Sequence, residues 1–301
     1  MRQFDFLGKT KYFVPLSLLL IAISVVVLIP GVRGLRLGID FTGGMEFTVL
    51  FSEPVSTAEL RTALGGIPAR DTDLSTSVIQ DVAERNTKVI TAQLDESDTA
   101  DRIETMLRSD FPVTDISRRL IGQQVSQELA RKGWQAILLA LVAILVYISW
   151  RFRLRYAVGA VAAILHDVII ALGLFAIFQV EINLATIAAF LTIVGYSLND
   201  TIVIYDRIRE NLKVERRRSI FEIINHSVNQ SLSRTLNTSI TTFIPVIILF
   251  VFGGSVLRGF SLALLIGVIV GTYSSMYIAN PILYAWTKRA GGPAGAKKTS
   301  K

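Results

Sequence analysis

Residues 183–205, NLATIAAFLTIVGYSLNDTIVIY, form an apolar stretch that is long enough to cross a membrane. A polar interruption at 195–201, GYSLNDT, places Asp200 inside this stretch. Asp200 lies about six residues from the end of the stretch, roughly 9 Å deep at 1.5 Å per residue. A charge at membrane depth costs about 3 kcal/mol on insertion scales, so a partner charge, a water-filled path or protonation must offset it.

The composition extends this membrane assignment to the whole chain. The 301 residues are 51% hydrophobic, with a mean hydropathy of +0.50, which indicates a polytopic α-helical membrane protein rather than a soluble domain. The chain has no cysteine, which excludes disulfides, thiolate metal sites and cysteine nucleophiles. Six stretches reach the roughly 17 residues that a membrane helix needs. The predicted spans are 13–30, 134–150, 156–178, 183–205, 232–252 and 261–286.

Lysine and arginine are concentrated in alternate loops. They are frequent before the first span, at 151–155, at 207–218 and after the last span, whereas 179–181 has none and the loop near 253 has only Arg258. Because basic loops stay in the cytoplasm, both termini are predicted to be cytoplasmic. The net charge of +7 therefore reflects topology and contact with anionic lipid. No nucleic acid partner is expected, since no aromatic and basic surface accompanies the charge.

A polar segment at 34–130 separates the first two spans and is predicted to lie outside the cytoplasm. Alternation over 45–51 predicts a strand, and Ser56-x-x-Glu59 is a capping box that opens a helix. A hairpin at 77–82 and 88–94, a helix at 98–108 and a strand at 113–120 follow. This β-α-β-β-α-β order predicts a small ferredoxin-like α+β domain. The predicted divisions are 1–33 (cytoplasmic N-terminus and first helix), 34–130, 131–288 (helices two to six) and 289–301 (cytoplasmic flexible tail).

Three motifs carry a resemblance to a known family. They are Asp40-Phe41-Thr42-Gly43-Gly44 after the first span, VGYSLNDTIVIYDRIREN at 194–211, and RTLNTS at 234–239. With the six-span topology, they resemble the SecF branch of the SecD/SecF family, accessory subunits of the bacterial and archaeal Sec translocase. The resemblance covers nearly the whole chain.

The resemblance implies a fold, a function and a set of partners. The chain would be a six-span half of a transporter-like fold akin to the RND exporters, in the bacterial or archaeal plasma (inner) membrane. It would use the proton-motive force to promote late steps of preprotein export. The implied partners are SecD, the Sec channel (SecY, SecE and SecG), YajC and the preprotein substrates.

Asp200 and Arg234 are the predicted proton-transport residues. The chemistry alone leaves two interpretations of Asp200, a proton carrier or half of a static ion pair between the fourth and fifth spans. The resemblance favours the carrier, because the matching aspartate of the family is implicated in proton passage. Arginine stays protonated, so the role expected of Arg234 is electrostatic; the alternative is an arginine that reaches the headgroups. No cofactor is expected, and sodium stays open as an alternative to the proton.

A supporting polar network is predicted around this pair. Asn237, Thr238 and Thr241 follow Arg234 at offsets of three, four and seven, hence on one helix face, and Asn199 precedes the aspartate. Asp167, beside His166 in the middle of the third span, is either a supporting residue or a satisfied interior group. Asp206, beside Arg207 and Arg209, is expected to join a solvated interfacial charge network.

The motif after the first span has two interpretations. Gly43 and Gly44 permit backbone conformations that other residues avoid, so the motif that begins at Asp40 is expected to form a turn into the first strand. A direct contact with the substrate is the alternative.

Two other functions compete with protein export. An intramembrane protease is excluded, because the chain has no Gly-x-Gly-Asp element and Leu198, not glycine, follows Gly195-Tyr196-Ser197. The absence of a P-loop argues against nucleotide hydrolysis, and no catalytic or metal-binding residues are predicted. A half-size RND-like exporter of small molecules would also use an acidic and a basic residue within the membrane. The small external domain and the fourth-span motif argue against it.

Overall fold

The computed structural model describes residues 4–68, 73–82, 86–92, 97–152, 154–215 and 217–289. The predicted flexible tail lies outside the described residues from residue 290 onward. Six helices of this described part are long and apolar enough to cross a membrane, which confirms the predicted polytopic helical class.

Helices and short strands alternate along the chain. The helices are α1 (Thr10–Leu28), α2 (Ile39–Thr42), α3 (Thr57–Gly65), α4 (Ser97–Asp110), α5 (Gln123–Arg151), α6 (Leu154–Phe178), α7 (Leu184–Val214), α8 (Ile220–Phe252), α9 (Gly254–Tyr277) and α10 (Ala279–Arg289). The strands are β1 (Arg36–Leu37), β2 (Gly44–Phe51), β3 (Val78–Val82), β4 (Thr87–Ala92), β5 (Val113–Ile121) and β6 (Glu181–Ile182).

The membrane helices extend well beyond the apolar stretches that predicted them. Asn183 caps α7 as its predicted start requires, with its side chain accepting from the backbone N–H of Thr186. The helix then continues to Val214 instead of ending near Tyr205. A capping box of Ser219 and Glu222 begins α8 twelve residues before the predicted start at 232. Hydropathy detects only the apolar part of a helix, so the sequence pattern predicts a loop where these amphipathic turns lie.

An antiparallel sheet lies between the first two spans, which confirms a sheet domain there. Its strand order is β3-β4-β2-β5, with Met45 opposite Ala92 on one side and Leu120 on the other. Helices α3 and α4 contribute Leu60, Leu64, Ile103 and Leu107 to a core shared with inward-facing residues of β2. The ferredoxin-like assignment of this domain stays a prediction.

Helix α7 is packed on several sides, and this position makes Ser197 and Asp200 interior. It contacts α6, α8 and α9. Glycines on α9 allow the closest approach: a Cβ on Gly267 would come within 2.2 Å of Ile193, and one on Gly271 within 3.0 Å of Ser197. Outside the main sheet, β1 pairs in parallel with β6 and so joins the chain after α1 to the loop before α7.

Candidate functional site

Asp200 is a buried carboxyl group with few hydrogen bonds. Its side chain lies on α7 and the residue is only 2% exposed. Thr238 Oγ1 on α8 lies 3.4 Å from Asp200 Oδ1, but the same hydroxyl lies 2.9 Å from the carbonyl of Thr235 and 3.1 Å from that of Arg234. A hydroxyl has one proton to donate, so the carboxyl group receives the weakest of these three contacts. Within the described residues Asp200 Oδ2 has no partner.

Arg234 does not form an ion pair with Asp200. The two are both described, and no salt bridge within 4.0 Å joins them. Arg234 is exposed and precedes Thr238 by one turn of α8. This geometry does not contain the static ion pair that was the alternative interpretation of the two residues. The electrostatic role of Arg234 stays a prediction.

Three polar residues of the predicted network face outward. Asn199, Asn237 and Thr241 are exposed. The Thr241 hydroxyl donates to carbonyls of its own helix, and the amide groups of Asn199 and Asn237 form no side-chain hydrogen bond within the described part of the chain. Polar side chains on the outer surface of a membrane helix need a protein partner or water, since lipid tails satisfy no hydrogen bonds.

Asp167 on α6 is the hub of a buried hydrogen-bond cluster. Its Oδ2 accepts from Ser197 Oγ on α7 at 2.5 Å and from Ser274 Oγ on α9 at 2.8 Å. Its Oδ1 lies 2.9 Å from Nδ1 of His166. Three membrane helices therefore meet at one carboxyl group, and Ser197 lies one turn before Asp200 on α7. The two serines were missed as site residues, because a serine in an apolar stretch carries no sign of its partner.

Asp206 forms the predicted charge network at the end of the spans, with a different main partner. Arg151, at the end of α5, donates to both carboxylate oxygens at 3.1 and 3.2 Å. Arg209 lies 4.0 Å away, while Arg207 pairs instead with Glu210. The carboxylate thus ties the end of α5 to α7.

Asp40 caps the helix that bears Asp200. Asp40 is 6% exposed, and its Oδ2 accepts from the backbone N–H of Leu184, the first residue of α7, at 2.9 Å. A carboxylate at this position satisfies a free N–H and complements the positive end of the helix dipole. Arg119 of β5 lies 3.7 Å from Oδ1. The expected turn is a short helix, α2, that holds this carboxyl group against α7.

Gly43 and Gly44 connect this cap directly to the sheet domain. Both have positive φ angles, +75° and +122°, which favour glycine. A Cβ on Gly43 would lie 3.3 Å from both the Gln123 backbone and the Ser126 hydroxyl of α5. Strand β2 begins at Gly44, so the motif links the start of α7 to the sheet within five residues.

A second ion pair lies beside this connection. Arg36 of β1 is 3.4 Å from Glu181 of β6. Burial raises the pKa of the Glu181 carboxyl, and Arg36 opposes that shift. The carboxylates of Glu46 and Asp40 add to the increase. The start of α7 therefore lies beside a group of interacting charges, in addition to its hydrogen bond with Asp40.

Two family models match the chain. The model described as "Protein export membrane protein SecD/SecF, C-terminal" matches residues 102–289, and the "SecD/SecF GG Motif" model matches residues 29–55. The second match contains Asp40, Gly43 and Gly44.

Curated relatives match the chain from end to end. Protein translocase subunit SecF of Petrotoga mobilis is 40% identical over 310 residues, covering 100% of both chains. The SecF of Rhodothermus marinus is 41% identical over 297 residues, covering 96% of this chain and 94% of the relative. The crystal structure of SecDF from Thermus thermophilus, a translocon-associated membrane protein, is 37% identical with a TM-score of 0.86. That match covers 96% of this chain and 39% of the SecDF chain.

Proposed function

The chain belongs to the SecD/SecF family of protein export membrane proteins, and we propose that it works with SecD as a protein translocase subunit driven by the proton-motive force. The observation that carries the translocase role is the similarity to translocase subunits named SecF over the full length of the chain. The relatives have a transport role, so no catalytic residues are assigned. No observation favours the export of small molecules.

Asp200 is proposed as the proton carrier. It is buried at membrane depth, and one carboxylate oxygen has no partner among the described residues. An ionised carboxylate left in this state is costly, whereas a proton or a newly arriving cation removes the cost. Arg234, one turn before Thr238 on α8, acts on Asp200 through its charge and not through a direct contact. The absence of a fixed salt bridge supports a group that changes its charge over one that locks two helices together.

The Asp-Phe-Thr-Gly-Gly motif is proposed to transmit a change at Asp200 to the sheet domain. Helix α7 carries Asp200 at its seventeenth residue and is bound at its first residue by Asp40. Strand β2 begins at Gly44, four residues after Asp40. A rotation or shift of α7 would therefore move the first residues of β2, which is an interior strand of the sheet. This role replaces direct substrate contact as the assignment for Asp40, Gly43 and Gly44.

SecD is proposed as the partner that covers the exposed polar face. Asn199, Arg234, Asn237 and Thr241 lie on the surface of the helices in this chain. In the SecDF relative, a region similar to this chain forms 39% of a longer chain, which supports a fixed association of the two parts. The Sec channel (SecY, SecE and SecG) and YajC are proposed as further partners. The basic loops support an orientation in the plasma membrane with both termini in the cytoplasm.

Preprotein translocation into inverted membrane vesicles tests this function. Vesicles are prepared from cells that carry the wild-type chain, the Asp200→Asn variant or the control variant Glu210→Gln. The control alters an exposed carboxylate of the same helix. We expect the proton gradient to stimulate translocation in the wild type and the control, and to have no effect in Asp200→Asn. Equal stimulation in all three at equal abundance would contradict the carrier role, and no stimulation in the wild type would contradict the function.

A further inference from the structure

An apolar cavity of about 260 Å³ lies between α5 and the rest of the membrane bundle. Trp134, Ile137 and Leu141 line it from α5, and Leu165, Leu172 and Phe190 line it from α6 and α7. Its volume is close to the roughly 300 Å³ at the lower end of small-molecule pockets. It is separate from the polar cluster at Asp167 and from the carboxyl group of Asp200, neither of which lines it.

The cavity runs from the membrane surface into the hydrocarbon region. Leu37 and Ile182, which face each other in the β1–β6 pair, and Leu35 just before it form its outer end. Leu141 lies seven residues beyond Trp134 on α5, which is about 10 Å deeper at 1.5 Å per residue. Trp134 and Leu165 are 72% and 50% exposed, so the cavity is open on the side that faces away from the bundle. An acyl chain has this shape, and it is the abundant apolar molecule at this depth.

An exposed cation lies next to the outer end of the cavity. Arg131 is exposed and precedes Trp134 by one turn of α5. It forms no salt bridge within 4.0 Å among the described residues. Arg36 pairs with Glu181 and Lys132 with Glu128, whereas Arg131 acts on Glu128 only from beyond salt-bridge distance. An exposed arginine without a close salt bridge, beside an interfacial tryptophan, suits a phosphate group, which guanidinium binds well.

We propose that this cavity is a binding site for one acyl chain of an anionic phospholipid whose phosphate contacts Arg131. The acyl chain fills a space whose lining otherwise lacks contacts on one side, and it thereby braces α5 against α6 and α7. The charge of the headgroup supplies the preference for an anionic lipid over a zwitterionic one. The site is independent of the proton-carrier role of Asp200.

Quenching of tryptophan fluorescence by brominated lipid tests the site directly. The full-length chain is prepared with Trp134 alone or with Trp150 alone, the other tryptophans being replaced by phenylalanine. Trp150 is 84% exposed and does not line the cavity. Each protein is reconstituted into phosphatidylcholine vesicles that contain increasing fractions of phosphatidylglycerol or phosphatidylcholine brominated on the acyl chain.

We expect brominated phosphatidylglycerol to quench Trp134 at a several-fold lower mole fraction than brominated phosphatidylcholine, and Trp150 to respond alike to both. Arg131→Gln should abolish the difference at Trp134, whereas the control Lys132→Gln should keep it. Ala140→Phe, inside the cavity, should abolish the early quenching, whereas Leu139→Phe on the exposed face should not. Coincident curves for the two lipids at Trp134, or protection of Trp134 from both, would overturn the proposal.

Discussion

Replacing Asp167 by alanine should lower the stability of the membrane bundle, because this carboxyl group joins three helices. The substitution removes the acceptor for Ser197 Oγ at 2.5 Å and for Ser274 Oγ at 2.8 Å. Hydrogen bonds between membrane helices average about 0.6 kcal/mol each, and those to charged groups reach about 1.5–3 kcal/mol. The loss of two such bonds therefore predicts a decrease of about 1–6 kcal/mol in the free energy of unfolding.

The same reasoning predicts almost no loss for Asp200→Asn. Asp200 accepts one hydroxyl contact at 3.4 Å, and its second oxygen has no partner within the described residues. An amide of nearly the same shape keeps that contact, so the loss should stay below the roughly 1 kcal/mol of one ordinary hydrogen bond. The two aspartates are similarly buried, so the predicted difference arises from their hydrogen bonds and from the size of the group that replaces each carboxyl.

Unfolding of the purified full-length chain in mixed micelles with increasing SDS measures both variants, with tryptophan fluorescence as the readout. Ser274→Ala serves as a control that removes one of the two bonds and should lose about half as much stability as Asp167→Ala. An unfolding midpoint for Asp167→Ala at the same SDS fraction as the wild type would refute the reasoning. So would a loss in Asp200→Asn as large as that in Asp167→Ala.

Three further predictions concern packing, the glycine motif and topology. Gly173→Ala should cost about 1–3 kcal/mol in the same unfolding assay, because its Cβ would lie 2.2 Å from Ser24 Oγ of α1; a wild-type midpoint would contradict that contact. Gly43→Ala should reduce export more than it reduces abundance, since a φ of +75° is strained for alanine, and equal reductions would contradict a coupling role. The chain has no cysteine, so Asp98→Cys should react with an impermeant maleimide in intact spheroplasts and Glu210→Cys should not; the reverse would invert the topology.

The membrane helices were predictable because length and hydropathy are local properties. The start of α7 at its Asn183 cap was predictable for the same reason. The polar ends of α7 and α8 were not, because an amphipathic turn next to a span resembles a charged loop. The β1–β6 pair has two residues on each side, too few for an alternating pattern. Such contacts depend on which helices become neighbours.

The candidate site was predictable in part. The burial of Asp200 followed from its place in an apolar stretch, and the structure places it 2% exposed. Its distance from Arg234 depends on the rotation of two helices about their axes, which a sequence pattern does not define. The cap that Asp40 provides for α7 spans 144 residues of sequence, and the bonds of Asp167 to Ser197 and Ser274 span 30 and 107. Pairings at such separations leave no local signal.

The central claim is that the Asp200 carboxyl group takes up and releases a proton, and infrared spectroscopy of the reconstituted protein tests it most directly. Difference spectra between acid and alkaline conditions are recorded for the wild type, Asp200→Asn and the control Glu210→Gln. We predict a protonated-carboxyl band that disappears on raising the pH in the wild type and the control and is missing from Asp200→Asn. A wild-type spectrum in which the same bands persist in Asp200→Asn would contradict the claim.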